Sequence, residues 1–368
     1  MNATSAAVVD LDDADGLLGA DRLGLLRAAS MAGAQVRAAA AALDEGDLEE
    51  LRSDVPPRTV VWVAGRGNAD TAGTLLAAVL GGSVGAPIVV AAEAPPWIGA
   101  LDVLVVAGDD AGDPALVAAA ATGVRRGARV VVVAPFEGPL RDATAGRSVA
   151  LPPRLPVPDD FTLVRYLAAG LAVLDVITPG VRADLAGLAD ELDAEAFRNS
   201  AGRDLFTNPA KALANQMSGR DVVFAGDTAA TLILARHACT VMLRIAHQTV
   251  AAAGLADVLT AIGTGWGRGT GADDALSIFH DEQIEGPLPA RTRTFVLTAD
   301  ADRPAISARL RGFDDVNVVN ADDVPDVEVA GDEPGPVPAR GPGRPEQQLA
   351  LLAVRLEMAA VYRRLVRG

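Results

Sequence analysis

Cysteine is almost missing from this chain: Cys239 is the only one in 368 residues. One thiol excludes an internal disulfide, and it reads as a small core residue rather than a reactive group. Lysine is equally scarce, since Lys211 is the only one among 32 cationic residues, against 48 acidic ones. The resulting net charge of -16 argues against nucleic acid as a partner, because neutralising phosphates takes clustered cations. Aromatic residues make up 4%, so platforms for stacking bases or sugars are few. No apolar run is long enough to span a bilayer, and the opening residues lack the basic and apolar regions of a signal peptide. The expected setting is the cytoplasm, with no membrane partner. Of three histidines, His237 and His247 lie ten apart. That is not the i,i+4 spacing that puts two zinc ligands on one helix face, so no metal is expected.

What the chain has is a large apolar fraction, 50%, enough for two domains with substantial cores. Apolar residues at helical spacing (Leu23, Leu26, Met31) predict one or two helices between Asp15 and Arg52. Short Val- and Ile-rich runs then alternate with helical stretches. Val60–Ala64, Pro87–Ala91, Val103–Ala107 and Arg129–Ala134 read as strands, and Ala69–Leu80 and Pro114–Arg126 as helices. Strands buried on both faces and alternating with helices mean a parallel sheet in a three-layer αβα sandwich. The Pro-rich segment 151–158 reads as an exit linker. Helices Phe161–Ile177 and Ala183–Arg198 follow. A second alternation runs through helix Pro209–Met217, strand Asp221–Ala225, helix Thr228–Ala252, strand Thr294–Thr298, helix Arg303–Leu310 and strand Val316–Asn320. Residues 331–344 read as a mobile loop, and Pro345–Val366 as a closing helix. The implied boundaries are a helical segment at 1–55, α/β domains at 56–158 and 208–330, and a helical linker at 159–207. The loop at 331–344 and a C-terminal helix at 345–368 complete the chain.

The feature with chemical content is the strand–loop–helix unit from Thr59 to Gly73. Its glycines Gly65 and Gly67 precede a small-residue helix, pointing backbone N–H groups at one spot, a common way to hold phosphate. A dinucleotide site is the competing reading, with Glu93 where a ribose-binding acid would sit. The third glycine of that fingerprint would fall at Asp70, whose carboxylate opposes a pyrophosphate. No cofactor is therefore expected.

Three stretches carry a family resemblance: Gly65-Arg-Gly-Asn-Ala-Asp-Thr-Ala-Gly73, Asn208-Pro-Ala-Lys211 and His280-Asp-Glu-Gln-Ile-Glu-Gly286. In order and spacing they resemble the bifunctional phosphoglucose/phosphomannose isomerases, built from two sugar-isomerase (SIS) domains. The resemblance covers roughly residue 64 to the C-terminus. It implies two SIS-type domains with parallel sheets, a sugar phosphate or related carbohydrate as ligand, and a homodimer. It also implies aldose–ketose interconversion through a cis-enediol, with a carboxylate moving the proton and a histidine opening the ring.

Matched residue by residue, the chain departs from that pattern. The phosphate-binding serine of the first loop corresponds to Ala69. The second loop, Ser-Tyr-Ser-Gly-Asn-Thr in the family, is Gly108-Asp-Asp-Ala-Gly-Asp113 here. Phosphate needs donors at close range, and carboxylates repel it. Two charges ~4 Å apart repel by ~4 kcal/mol at an effective dielectric near 20. The catalytic glutamate corresponds to Arg244 and the family's nearby lysine to His247. The Pro-Arg pair falls near Asp160-Phe161, with Arg154 or Arg165 able to supply the guanidinium if the register shifts. His280 alone keeps the family's residue type as ring-opening candidate; beside Ile278 and Phe279 it also reads as a half-buried, hydrogen-bonded residue. Asp109, Asp110 and Asp113 read either as a cation or amine-sugar site, or as a solvated loop with Asp113 capping the next helix. Arg66 and Asn68 are the remaining candidates to donate to an anion. The expected ligand-binding set is Gly65, Arg66, Gly67, Asn68, Asp109, Asp110 and Asp113. The function expected is a SIS-type protein binding carbohydrate derivatives without conventional isomerase activity. The alternatives are an active isomerase on an altered sugar phosphate and a regulatory binding protein.

Overall fold

A computed structural model describes residues 9–178, 180–266, 291–313, 315–321 and 344–367. Contacts divide the chain into two compact units. One comprises residues 24–197 with 345–354, the other residues 1–23, 198–344 and 355–368.

The first unit holds a parallel sheet of β1 (Thr59–Val63), β2 (Ile88–Ala91), β3 (Asp102–Ala107), β4 (Arg129–Val133) and β5 (Ser148–Ala150), in the order β2-β1-β3-β4-β5. Every residue of β1 and β3 is buried, as a central strand covered on both faces requires. Val61, Val63, Leu104, Val106, Val130 and Val132 share one core with Leu116, Ala120 and Val124 of α5 (Pro114–Arg126) and Leu140 of α6 (Gly138–Thr144). Trp62 points to the opposite face, where α4 (Gly67–Leu80) and α7 (Leu163–Ile177) pack on each other. Its indole Nε1 donates to Ala69 O at 2.9 Å. A Cβ on Gly73 of α4 would run into that indole, and one on Gly170 of α7 into Leu76 and the same ring. Both glycines let helix backbones approach a large buried side chain. After the short α2 (Leu25–Ala29), α3 (Ala32–Asp44) packs along α7. α8 (Leu185–Arg198) starts where Asp184 accepts from Gly187 N at 2.9 Å.

The second unit repeats the plan with β6 (Asp221–Gly226), β7 (Ala251–Gly254), β8 (Thr292–Leu297) and β9 (Val316–Val319), all parallel, in the order β7-β6-β8-β9. Phe224 and Phe295 stack at 5.5 Å across β6 and β8. α9 (Pro209–Gln216) begins at Asn208, whose side chain accepts from Lys211 N. The fully buried Lys211 ammonium donates to Ala201 O and Arg203 O, both at 2.8 Å, so the Asn208–Lys211 motif is a structural clasp. α1 (Ala14–Ala20), α10 (Ala229–Arg244), α11 (Leu255–Gly263), α12 (Arg303–Arg309) and α13 (Pro345–Arg367) complete the described α-helices. On α13, Arg355 donates to Asn320 O and Ala321 O, and Glu357 pairs with His237 at 3.2 Å, both groups buried.

Two α/β units with parallel sheets are as the alternating pattern predicts, with differences in detail. The helix expected over 228–252 stops at Arg244; His247 then takes φ +51 and β7 begins at Ala251. Ala-Ala-Ala-Gly has no intrinsic strand preference, and pairing with β6 alone makes it a strand. The three-residue β5 and the short α6 are too brief to give a periodic signal, whereas α11 adds a helix whose Leu255, Val258, Leu259 and Ile262 do stand at helical spacing on its packed face. The loop expected at 331–344 lies, apart from Arg344, outside the described residues. No described helix is long and apolar enough to cross a membrane.

Candidate functional site

The candidate loops lie at the carboxyl ends of β1, β3 and β4 in the first unit, where parallel α/β sheets hold ligands. After β1 the chain turns through Gly65, the extended Arg66 and Gly67, whose φ of +66 puts it in the left-handed region that glycine accepts. Arg66 occupies the N-cap of α4 but gives no side-chain cap. The first N–H groups of α4 therefore have no side-chain cap, and the exposed Arg66 guanidinium has no ion-pair partner among the described residues. This end of the site favours an anion.

The loop after β3 opposes it. Asp113 Oδ1 accepts from Ala115 N at 2.8 Å and caps α5, with Pro114 at the first helical position. Its other oxygen faces Gly65, 3.6 Å from where a Cβ would lie. Asp110 accepts from Gly112 N at 2.7 Å, closing the loop on itself. Asp109 and Asp110 are exposed, and they line an open pocket of about 540 Å³ with Ala111, Gly112, Pro135 and Glu137. Glu137 was not in the expected set. It adds a third carboxylate to this pocket, and its only sequence cue was its place just after a strand. Among the described residues no group of three or more metal-ligating side chains is arranged to hold a metal ion.

The residues expected to contact ligand thus separate. Asp113 meets Gly65, with Arg66 and Gly67 at the start of α4, whereas Asp109 and Asp110 line the pocket with Glu137. Asn68 is committed elsewhere: its amide donates to Asp159 O at 2.7 Å and to Thr162 Oγ1 at 3.4 Å, pinning the turn before α7. Ala69 is buried, so the position of the family's serine is inside the fold. A Cβ on Gly108 would strike Leu116 Cδ1, which explains in packing terms the missing hydroxyl there. Asp70, in the first turn of α4, has its pKa raised by burial.

The candidate arginines also separate. Arg154 is held by Glu45 and Asp47, each at 2.7 Å. Arg165 lies over the Tyr166 ring at 4.2 Å, with Nε and Nη1 buried and without hydrogen bonds. Burial pushes the Tyr166 phenol up to about 12; Arg165 opposes that shift, and the charges of Asp109 and Asp159 add to it. The Tyr166 phenol therefore feels Arg165 and Asp109 with opposite sign. His280 lies outside the described residues.

In the second unit the corresponding loop after β6 is closed. Thr228 and Thr231 form a reciprocal capping box at the start of α10, and Asp227 is paired with Arg309 at 2.6 Å. A Cβ on Gly226 would meet the backbone of Thr231 and Leu232, so strand and helix touch directly.

Two parallel αβα units joined in one chain define the class of fold, which is similar to that of solved phosphosugar isomerases and consistent with tandem SIS domains. No protein-family model and no curated protein matches the sequence. Among solved structures, the tagatose-6-phosphate ketose/aldose isomerase from Escherichia coli superposes with a TM-score of 0.60 at 15% identity, covering 94% of this chain and 91% of that one. A glucose-6-phosphate isomerase-like protein from Thermus thermophilus gives a TM-score of 0.53 at 20% identity, covering 98% and 96%. The glucosamine-6-phosphate deaminase from Thermotoga maritima gives 0.57 at 10% identity, covering 94% and 95%. At such identities the likeness establishes the fold, over nearly the full length of each chain.

Proposed function

We propose that this chain is a SIS-fold protein that binds a carbohydrate derivative and lacks conventional aldose–ketose isomerase activity. The observation that carries this reading is Asp113 facing Gly65, a carboxylate where a bound phosphate would need a donor. The surrounding chemistry agrees: Asn68 is bonded to backbone, and within the expected ligand-binding set Arg66 is the one cationic residue. The polarity of the cleft then favours a ligand with one anionic or hydroxyl-rich end toward Arg66. Its other end, an amine or a chain of hydroxyls, faces the carboxylates. Within this reading the protein is a cytoplasmic homodimer, and His280 is the remaining candidate for a ring-opening role.

Coupled assays with fructose 6-phosphate, mannose 6-phosphate and glucose 6-phosphate are expected to give no turnover above blank. Isomerisation that His280→Ala abolishes would overturn the proposal. A thermal-shift screen of amino sugars and sugar phosphates then identifies the ligand class, since saturation a hundredfold above Kd stabilises by ~2.7 kcal/mol.

A further inference from the structure

In the second unit, a pocket of about 290 Å³ is bounded by residues 9–11, the end of α9 and the last turn of α13. Arg363 lines it. This guanidinium belongs to a residue only 6% exposed, yet its partners are neutral: Nε donates to Gln248 Oε1 at 3.1 Å and Nη1 to Ala214 O at 3.3 Å. Arg367, one helical turn on, lines the same pocket and has no ion-pair partner among the described residues. The two like charges feel each other, and Arg363 is harder to protonate because of burial first and Arg367 second. Asn215 and Ser218 add neutral donors to the rim, and Asp10 is the only acid among the lining residues.

A desolvated cation normally finds a carboxylate, and this chain has a large excess of them. Here two arginines line the same open space, and Asp10 is the one carboxylate beside them. Arginine forks suit tetrahedral oxyanions, and the pocket is close to the small end of ligand sites. We propose that this pocket is an anion site that binds the phosphate group of a small molecule between Arg363 and Arg367. It is separate from the loops at the carboxyl end of the first sheet and does not depend on the function proposed for them.

The test is calorimetric titration of the full chain with inorganic phosphate and, separately, glycerol phosphate, at constant ionic strength set with sodium chloride. Arg367 is exposed, so Arg367→Gln should fold normally, and it is expected to weaken binding at least tenfold. Asp10→Asn, which removes the acid from the rim, is expected to tighten it. Arg126→Gln, at an exposed arginine in the last turn of α5, is expected to leave it unchanged. Binding of the ester but not the free ion assigns the site to phosphomonoesters, and binding of both assigns it to the phosphate group itself. No binding of either probe, or binding that Arg367→Gln leaves intact, overturns the proposal. So does binding that Arg126→Gln abolishes.

Discussion

A glycine under a ligand and a glycine under a tryptophan look alike in a sequence motif. Gly67 is needed for its backbone, at φ +66, but Gly73 is needed for the space that the Trp62 indole fills. The two demands predict different rescue. Alanine in a helix interior normally gains ~1 kcal/mol over glycine. Gly73→Ala is nevertheless expected to lower stability by ~1–3 kcal/mol, because the new methyl group overpacks a rigid, fully buried ring. Chemical denaturation of Gly73→Ala alone and combined with Trp62→Phe checks this. The smaller ring should recover part of the loss, and strictly additive effects would show that contact with Trp62 is not the cause. Gly73 therefore serves packing, and a motif that counts it as a ligand-loop glycine overstates the binding signal.

At the scale of elements, Asp113 has two jobs that a mutation can part. One oxygen caps α5 and the other faces Gly65. Asp113→Ala should cost ~1 kcal/mol through the lost cap. Asp113→Ser keeps a capping oxygen and removes the charge, so it should nearly retain the wild-type melting temperature. In an Arg367→Gln background it should also show a larger thermal shift with a sugar phosphate than Asp113 does. Equal loss of stability in both variants would mean that the cap is not the structural role of this carboxylate. The alternation of Val-rich runs with helical stretches made most of these elements legible, because burial on both faces leaves a composition that propensity alone can read. β7 was not legible, since Ala251–Gly254 is a strand only through β6. In the site, the carboxylate loop could be read directly from Asp109, Asp110 and Asp113. The commitment of Asn68 to Asp159 O and the arrival of Glu137 could not, because both depend on tertiary placement. Arg165 and Arg154 were indistinguishable candidates until their partners were seen.

For the molecule as a whole, the scarcity of titrating groups near neutrality moves the informative pH range into alkali. Each unit buries one tyrosine. Burial pushes Tyr166 and Tyr362 each from 10.0 up to about 12, and the Tyr362 hydroxyl donates to Asn199 O at 2.6 Å. Between pH 10 and 12 the folded chain keeps these protons while the unfolded chain loses them, so stability falls as pH rises through that window. Each shift corresponds to roughly 3 kcal/mol, present in full below pH 10. Cys239, raised by burial from 9.0 to about 11, acts in the same direction somewhat earlier. Lys211 acts the other way: burial lowers its pKa below 10.5, so in the interval just under that value the unfolded chain holds the extra proton and stability rises with pH. The second unit therefore has opposing contributions before its tyrosine dominates. Tyr362→Phe loses the hydrogen bond to Asn199 and should be ~1 kcal/mol less stable than wild type at pH 8. It also loses the titrating group, so its deficit should shrink and then reverse as pH approaches 12. Urea midpoints at pH 8, 10 and 11.5 check this, and a constant offset between the two proteins across that range would show that the Tyr362 proton is not linked to folding.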